Sequence, residues 1–441
     1  MTDYIQPRVL KGFRDYLPAA ENARSSLIRK LESTFRSFGF VPIDTPALEY
    51  AEILLGKGGG ETDKQVYRFN DNGNRDIALR FDLTVPFARF MAEHVDELYL
   101  PFRRFHIAKV WRGENTQRGR YREFMQCDFD IVGTDCTSAD SDIVLTIVQA
   151  MKDLGAGSFK VRINHRMIFN RFLAAQGIEA KSVAILRIVD KLEKIGLEAT
   201  ESLLTAEIDR QAALKVLEYV QASGSFSNIL NRMADFCLKS DEIAQSAIAR
   251  LKDVYAIAET VGISEYVALD PSITRGLDYY TGIVFETTLS DIPQIGSVCS
   301  GGRYNELATL YTSKNLPGVG ASVGLDRLLS AFDLIEKTVG NEFPEPMLIL
   351  NTGSQTLPSI HGIAEKLRSF GISAEVFPEP KKLITQYSYA EKKGLRYALS
   401  LDAESLEQGT FPLRDLSSRI TTTFSSLSEL IRFIGKKGNG D

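Results

Sequence analysis

Cysteine is scarce and scattered in this chain of 441 residues. Its four thiols, Cys127, Cys136, Cys237 and Cys299, form no Cys-x-x-Cys pair, which excludes a disulfide framework and points to a reducing, cytoplasmic setting. Histidine is as thin: His94, His106, His165 and His361 lie far apart. Without a His-Glu-x-x-His pattern or a cysteine cluster, no metal is expected to be held primarily by the protein. His106 sits in an alternating segment and reads as packed or at an edge rather than as a base. No apolar run approaches the length of a bilayer-spanning helix, and residues 1–13 have no leader-like apolar core, so no membrane insertion is expected. An excess of positive charge is missing too. The formal net charge of −5 argues against coating nucleic acid by bulk electrostatics, but leaves room for a basic patch on an acidic body.

What the chain does have is length and patterning. Its 441 residues exceed one comfortable core, so two or three domains are expected. Residues 23–38 set Leu27, Ile28, Leu31, Phe35 and Phe38 on one helical face. Strands are predicted at 40–43, 66–70 and 76–80, the last two around Asn70-Asp71-Asn72-Gly73. Helices follow at 84–93, 139–154 and 168–175, with a strand at 159–164. From 190 to 261 apolar residues such as Leu204, Ile208, Ala212 and Val216 recur at helical spacing, predicting an all-helical insert. A sheet-rich body resumes with strands at 282–288 and 298–304 and a helix at 325–337. Pro344 and Pro346 mark a linker. Beyond it, strands at 347–350, 372–377 and 397–401 alternate with helices at 357–370 and 383–393. This predicts a small α/β domain whose Lys381, Lys382, Lys392, Lys393 and Arg396 gather near helix ends. Residues 436–441 are expected to fray. The expected division is 1–189 and 264–340 for the two parts of one body, 190–263 for the insert and 345–435 for the C-terminal domain.

Five clusters could carry chemistry. Arg80, Asp82 and Thr84 alternate, and strand period puts them on one face, where a carboxylate and a hydroxyl could hold a protonated amine. Residues 101–133 hold six arginines and a lysine. They read as a strand at 105–112, an exposed basic loop at 113–119 and a returning strand at 121–131, a hairpin that fixes guanidinium groups for bidentate contact with phosphate. On its second strand Arg120, Arg122, Gln126, Asp128 and Asp130 share one side, and Tyr121, Phe124 or Met125, Cys127, Phe129 and Ile131 the other. Charges on one face are costly to bury unless they bind something charged, so a zwitterion beside a polyphosphate suits them. In residues 270–286, Arg275 and Asp278 precede Tyr279 and Tyr280, which are expected on opposite faces of an extended chain, one inward and one lining a pocket. Gly301-Gly302-Arg303-Tyr304 offers a glycine pair that can pass under a flat ligand. Residues 318–328 lead glycines into a helix carrying Asp326 and Arg327, without the Gly-x-x-x-x-Gly-Lys pattern of a phosphate loop.

In this order the clusters resemble the histidyl-tRNA synthetases, class II aminoacyl-tRNA synthetases, and especially the branch typical of eukaryotic cytoplasms. Residues 45–49 (TPALE) resemble class II motif 1, 110–124 (VWRGENTQRGRYREF) motif 2 and 318–328 (GVGASVGLDRL) motif 3. Residues 275–282 (RGLDYYTG) and 301–304 (GGRY) resemble the two histidine signatures. The resemblance implies an α+β fold: an antiparallel six-stranded catalytic sheet flanked by helices, a helical insertion that approaches the tRNA acceptor stem, and a C-terminal α/β anticodon-binding domain. It implies a cytoplasmic homodimer with motif 1 at the interface, and a ligase joining L-histidine to tRNA-His through histidyl-adenylate with ATP as substrate and Mg²⁺. Carried over, Arg112 contacts the α-phosphate and the histidine carboxylate, Arg275 the α-phosphate, and Arg327 the γ-phosphate. Arg120 falls in the phosphate-binding region and Glu114 lies by the adenine. Asp82, Thr84 and Gln126 hold the amine, while Asp130 and Tyr280, with Tyr279 beside them, read the imidazole. Gln117 and Arg118 are the candidates for the acceptor end, where tRNA-His usually carries an extra guanosine. Asp82 and Asp130 stand where many bacterial relatives have Glu, one methylene longer. The rival reading is a synthetase-like protein that has lost the reaction, either the regulatory subunit of ATP phosphoribosyltransferase or a sensor of histidine or tRNA. Such a protein need not keep Arg112, Arg275 and Arg327 together.

Overall fold

The computed structural model describes residues 4–56, 65–273, 279–337, 339 and 345–437. The chain divides into two compact units, Met1–Val339 and Gly340–Asp441. The larger begins with α1 (Pro18–Ser37), β1 (Val41–Pro42), β2 (Leu48–Tyr50), α2 (Ala51–Leu55), β3 (Arg68–Asn70), β4 (Asp76–Leu79) and α3 (Thr84–His94). It continues through β5 (Phe102–Trp111), β6 (Glu123–Val132), α4 (Thr137–Asp153), β7 (Phe159–His165) and α5 (Arg166–Ala175). Five helices follow: α6 (Ser182–Val189), α7 (Leu192–Glu207), α8 (Arg210–Val220), α9 (Phe226–Asp235) and α10 (Glu242–Val261). The unit closes with β8 (Val267–Leu269), β9 (Ile283–Leu289), β10 (Ser297–Arg303), β11 (Gly318–Gly324) and α11 (Leu325–Leu334). Helix α1 starts ahead of the predicted residue 23 because Pro18 sits in its first turn, where a missing N–H costs nothing.

An eight-stranded sheet, in the order β1-β5-β6-β11-β10-β9-β7-β8, organises this unit. Its six central strands run antiparallel to one another, while the short edge strands β1 and β8 pair in parallel. The six-stranded antiparallel sheet expected from the sequence is therefore widened by one parallel strand on each side. Strand period divides the sheet into two faces. Met125, Cys127, Phe129 and Ile131 of β6 enter a core with Leu27, Leu31 and Phe35 of α1 and Ile143, Val144 and Ile147 of α4. The alternate residues of β6 face the other way, and there the polar groups gather. A separate three-stranded sheet, β2-β4-β3, lies in the same unit.

The smaller unit runs β12 (Met347–Leu350), α12 (Leu357–Ser369), β13 (Ala374–Val376), α13 (Leu383–Lys393), β14 (Tyr397–Ser400), α14 (Ala403–Gln408), β15 (Phe411–Asp415), β16 (Thr421–Phe424) and α15 (Leu427–Lys437). Its sheet has the order β13-β12-β14-β15-β16, parallel across the first three strands and antiparallel in the last two. The strand–helix rhythm predicts its first five elements. The closing hairpin escapes that reading because Pro412 argues against a strand and Thr421–Phe424 shows no alternation. Helix α15 continues past residue 436, where fraying is expected from the sequence.

Candidate active site

Two adjoining hollows open on the polar face of the large sheet. The wider is about 430 Å³ and the narrower about 120 Å³, and they share Arg112, Gln126, Ser297, Ser300, Ser322 and Arg327. Sheet register builds the floor. Arg104, Asp130, Gly320 and Gly302 stand opposite one another in one row across β5, β6, β11 and β10. The next row is His106, Asp128, Ser322, Ser300 and, on β9, Glu286. Backbone alone clears the space in the first row. A Cβ at Gly320 would stand 2.0 Å from Asp130 Oδ1, and one at Gly302 would stand 2.9 Å from the Tyr280 ring. Glycine is required at Gly320 because the Asp130 side chain of the neighbouring strand lies across it, and at Gly302 because the Tyr280 ring and the Ile283 carbonyl oxygen do.

The wide hollow is acidic. Asp82 ends the turn into α3, where its Oδ1 accepts the Val85 N–H at 3.1 Å and its Oδ2 accepts the Tyr279 hydroxyl at 3.2 Å. Asp130 Oδ1 accepts the Tyr304 hydroxyl at 2.5 Å. Its Oδ2 lies 2.8 Å from Arg104 Nη2, an ion pair whose alignment falls short of a hydrogen bond. Arg104 is itself fully buried, its guanidinium 4.1 Å from the centre of the Phe87 ring. Burial raises the pKa of both acids. Burial raises the Asp128 pKa as well, up to about 7, with Asp130 and Asp82 adding to it and Arg104 and the Ser322 hydroxyl opposing. Gln126 is fixed by donating from Nε2 to Ser322 Oγ at 3.1 Å.

The narrow hollow is basic. Arg112 is steadied by donating from Nε to the Phe81 carbonyl at 2.9 Å, and its guanidinium lies 5.2 Å from the centre of the Phe124 ring. Arg327 donates from Nη1 to the Ser297 carbonyl at 2.5 Å. Arg120 lies 3.8 Å from Glu114. Burial, with the like charges of Arg120 and Arg112, lowers the Arg327 pKa to about 10, so the group stays charged at neutral pH. Guanidinium groups that converge against their own repulsion suit an anion with several oxygens. Among the described residues no group of three or more His, Cys, Asp or Glu side chains could hold a metal ion.

Of the residues singled out from the sequence, Asp82, Thr84, Arg112, Gln126, Asp130, Tyr279, Tyr280 and Arg327 line the wide hollow, and Glu114 and Arg120 line the narrow one. Arg275 lies outside the described residues. Gln117 and Arg118 belong to an exposed turn, closed by Gln117–Arg120 backbone hydrogen bonds, and line neither hollow.

Several expectations are corrected. Arg80 does not share a face with Asp82 and Thr84. β4 ends at Leu79, so strand period no longer applies, and the buried Arg80 donates to the carbonyls of Thr45 at 2.6 Å and Lys109 at 3.0 Å. β6 begins at Glu123, so Arg122 leaves the common side and donates to the Glu114 carbonyl at 3.2 Å. Met125, not Phe124, joins the core. Tyr279 and Tyr280 precede β9, stand 5.0 Å apart edge to face, and both line the wide hollow. The glycine pair also answers to neighbouring chain: a Cβ at Gly301 would stand 2.1 Å from the Gly320 carbonyl oxygen. Arg303 does not line either hollow; it donates to the buried Asp140 at 2.7 and 2.9 Å. His106 is buried, its Nε2 2.9 Å from Asp44.

Sequence reasoning also passed over Arg104 and Arg14, and it named Tyr304 within its cluster without a role toward Asp130. Hairpin register would have shown Arg104 opposite Asp130, but the irregular loop hides that register. Arg14 donates to Asp326 at 2.5 Å and to the Tyr121 hydroxyl at 3.0 Å, behind the narrow hollow.

A family profile described as Histidyl-tRNA synthetase matches residues 12–328, and one described as Anticodon binding domain matches residues 347–437. A histidine–tRNA ligase of Treponema denticola is 48% identical over 453 residues, covering 100% of both chains. Another, of Rhodopirellula baltica, is 46% identical over 418 residues and covers 94% of each. The crystal structure of histidyl-tRNA synthetase from Nostoc sp. PCC 7120 superposes with a TM-score of 0.87 at 29% identity, covering 98% of this chain and 100% of that one.

Proposed function

The chain belongs to the histidyl-tRNA synthetase family, and from that premise we propose that it joins L-histidine to tRNA-His in two steps. The histidine carboxylate attacks the α-phosphorus of ATP in line, and pyrophosphate leaves. The terminal ribose hydroxyl of the tRNA then attacks the carbonyl of the adenylate, and AMP leaves. One observation carries this reading: a single depression on the sheet is lined by acids at one end and by convergent guanidinium groups at the other. The acidic end suits a small cationic amino acid, with Asp82, Thr84 and Gln126 at the amine and Asp130, Tyr279 and Tyr280 at the imidazole. The basic end suits a triphosphate. There Arg112 and Arg275 stabilise charge developing on the α-phosphoryl oxygens, Arg327 and Arg120 hold the outer phosphates, and Glu114 lies by the adenine. Mg²⁺ comes as the companion of the nucleotide's own phosphates and supplies neutralising charge there.

Histidine-dependent exchange of pyrophosphate into ATP, followed by charging of tRNA-His, tests the proposal. Exchange with histidine and not with other amino acids is expected. Its absence in folded protein would favour the regulatory-subunit or sensor alternative.

We further assign residues 190–263 to the acceptor stem, with Gln117 and Arg118 near the acceptor end, and residues 345–435 to the anticodon. Residues 1–189 and 264–340 form the catalytic body. The exposed apolar side chains Leu48, Tyr50 and Phe69 on the small sheet support a homodimer formed around motif 1. The short acids at 82 and 130 support the branch typical of eukaryotic cytoplasms. A cytoplasmic location fits four free cysteines and the lack, among the described residues, of any helix long and apolar enough to cross a membrane.

A further inference from the structure

Five carboxylates line the wide hollow, and three of them, Asp82, Asp128 and Asp130, are treated differently by the protein. Both oxygens of Asp82 accept hydrogen bonds from the chain itself, one from Val85 and one from Tyr279. Asp130 has the Tyr304 hydroxyl on one oxygen and Arg104 at 2.8 Å from the other. Asp128 is 2% exposed, yet its Oδ1 has no hydrogen-bond partner among the described residues. Gln126 Oε1 is in the same condition, and its orientation is fixed because the amide nitrogen is spent on Ser322. Asp128 Oδ1 and Gln126 Oε1 thus belong to residues two apart on one strand, on one face, lining one hollow, where Asp130 Oδ2 has only its ion pair with Arg104.

Buried polar atoms are paired almost without exception, and a pair of acceptors calls for a group with several N–H donors and positive charge. An ammonium group has three such donors in a tetrahedral array, whereas a neutral imidazole has one. We infer that Asp128 is a further substrate-binding residue, accepting from the α-ammonium group of the amino acid alongside Gln126. Charge points the same way. Arg104 is fully buried and ion-pairs with Asp130 at 2.8 Å, so of these two neighbouring acids Asp128 is the one without a direct ion pair among the described residues. The inference rests on the histidine reading of this site and adds to it a residue that specifies the amine.

The test uses Asp128→Asn and Asp128→Ser in the full chain, with dissociation constants measured by calorimetry. L-Histidinol carries the ammonium and the ring; imidazolepropionate carries the ring and lacks the ammonium. Histidinol should bind both variants at least about tenfold more weakly than the parent, the loss expected for one charge-assisted hydrogen bond. Imidazolepropionate and ATP should keep their parental affinity within about twofold, because distant contacts are independent; for ATP this also shows that the variants are folded. Undiminished histidinol affinity in both variants overturns the inference. So does an equal loss for imidazolepropionate, which would place Asp128 at the ring. A parent that binds no histidinol and shows no histidine-dependent exchange overturns the histidine reading itself.

Discussion

Asp128 makes substrate recognition and stability of the free protein oppose each other. Its carboxyl, ordinarily near 3.8, is held up to about 7 by burial, with Asp130 and Asp82 adding and Arg104 opposing. The groups around it include Arg104 and His106 on β5, Asp130 on its own strand, Arg80 and Asp82 before α3, Tyr279, Tyr280, Cys299 on β10 and Ser322 on β11. The folded state binds this proton more tightly than the unfolded state, so the group's contribution is full at low pH and fades as pH rises toward about 7. Asn at this position has no proton to lose. Melting temperatures at pH 5 and pH 8 should therefore show Asp128→Asn gaining on the parent as pH rises, by on the order of 1–3 kcal/mol for an unsatisfied buried acid. That is a shift of a few degrees for a chain of this size. A difference that stays constant or shrinks between the two pH values would contradict the raised pKa.

At the scale of elements, the site depends on what glycines leave open and on what an unstructured segment holds. Gly320 of β11 lets the Asp130 side chain lie across its strand, and a Cβ there would also stand 2.7 Å from the Phe129 carbonyl oxygen. Backbone cannot move aside cheaply, so Gly320→Ala should push Asp130 from its place beside Tyr304 and Arg104. Pyrophosphate exchange at varied histidine should show KM for histidine rising by about tenfold or more, with KM for ATP little changed. The segment 11–16 acts on the other end. Gly12 accepts the Arg122 N–H at 2.8 Å, and Arg14 reaches Asp326, which also receives the Tyr16 hydroxyl and, at 2.6 Å, the Met125 N–H. One carboxylate thus ties the N-terminal segment to the start of α11, beside Arg327, and to β6. Arg14→Ala should raise KM for ATP by about tenfold and leave KM for histidine near its parental value. Lys at position 14 should recover part of the loss, because it keeps the charge but not the fork geometry; no recovery would mean that packing alone is at stake.

These same elements show what the sequence discloses. The alternation of Cys127, Phe129 and Ile131 with Gln126, Asp128 and Asp130 is legible because β6 is regular and packs a core on one side. Asp82 and Thr84 reach the hollow although the strand pattern that recommended them had already ended, since the chain turns into α3. Arg80 fails by the same pattern because the turn aims it at backbone carbonyls. The pairings of Arg104, Tyr304 and Arg14 stay hidden for another reason. Their partners are up to 312 positions distant, and only sheet order and register bring them together.

Over the whole molecule, the described residues that line either hollow all fall between positions 82 and 327. They lie inside the larger compact unit, Met1–Val339. The smaller unit has apolar cores of its own, one of them built around Met347, Ile349, Ile360, Leu367, Leu399 and Leu430. Each unit thus has the buried surface expected of a domain that can fold separately. In the proposed scheme amino-acid activation needs only the larger unit, whereas tRNA charging also needs the anticodon contact assigned to residues 345–435. A chain ending at residue 339 should keep histidine-dependent pyrophosphate exchange within about tenfold of the full chain, because no lining residue is lost. Its kcat/KM for charging tRNA-His should fall by about a hundredfold or more, the effect of losing roughly 3 kcal/mol of tRNA binding. Circular dichroism of the shortened chain shows whether it has folded. Loss of exchange in a folded sample would show that activation requires the C-terminal unit, and undiminished charging would remove that unit from tRNA recognition.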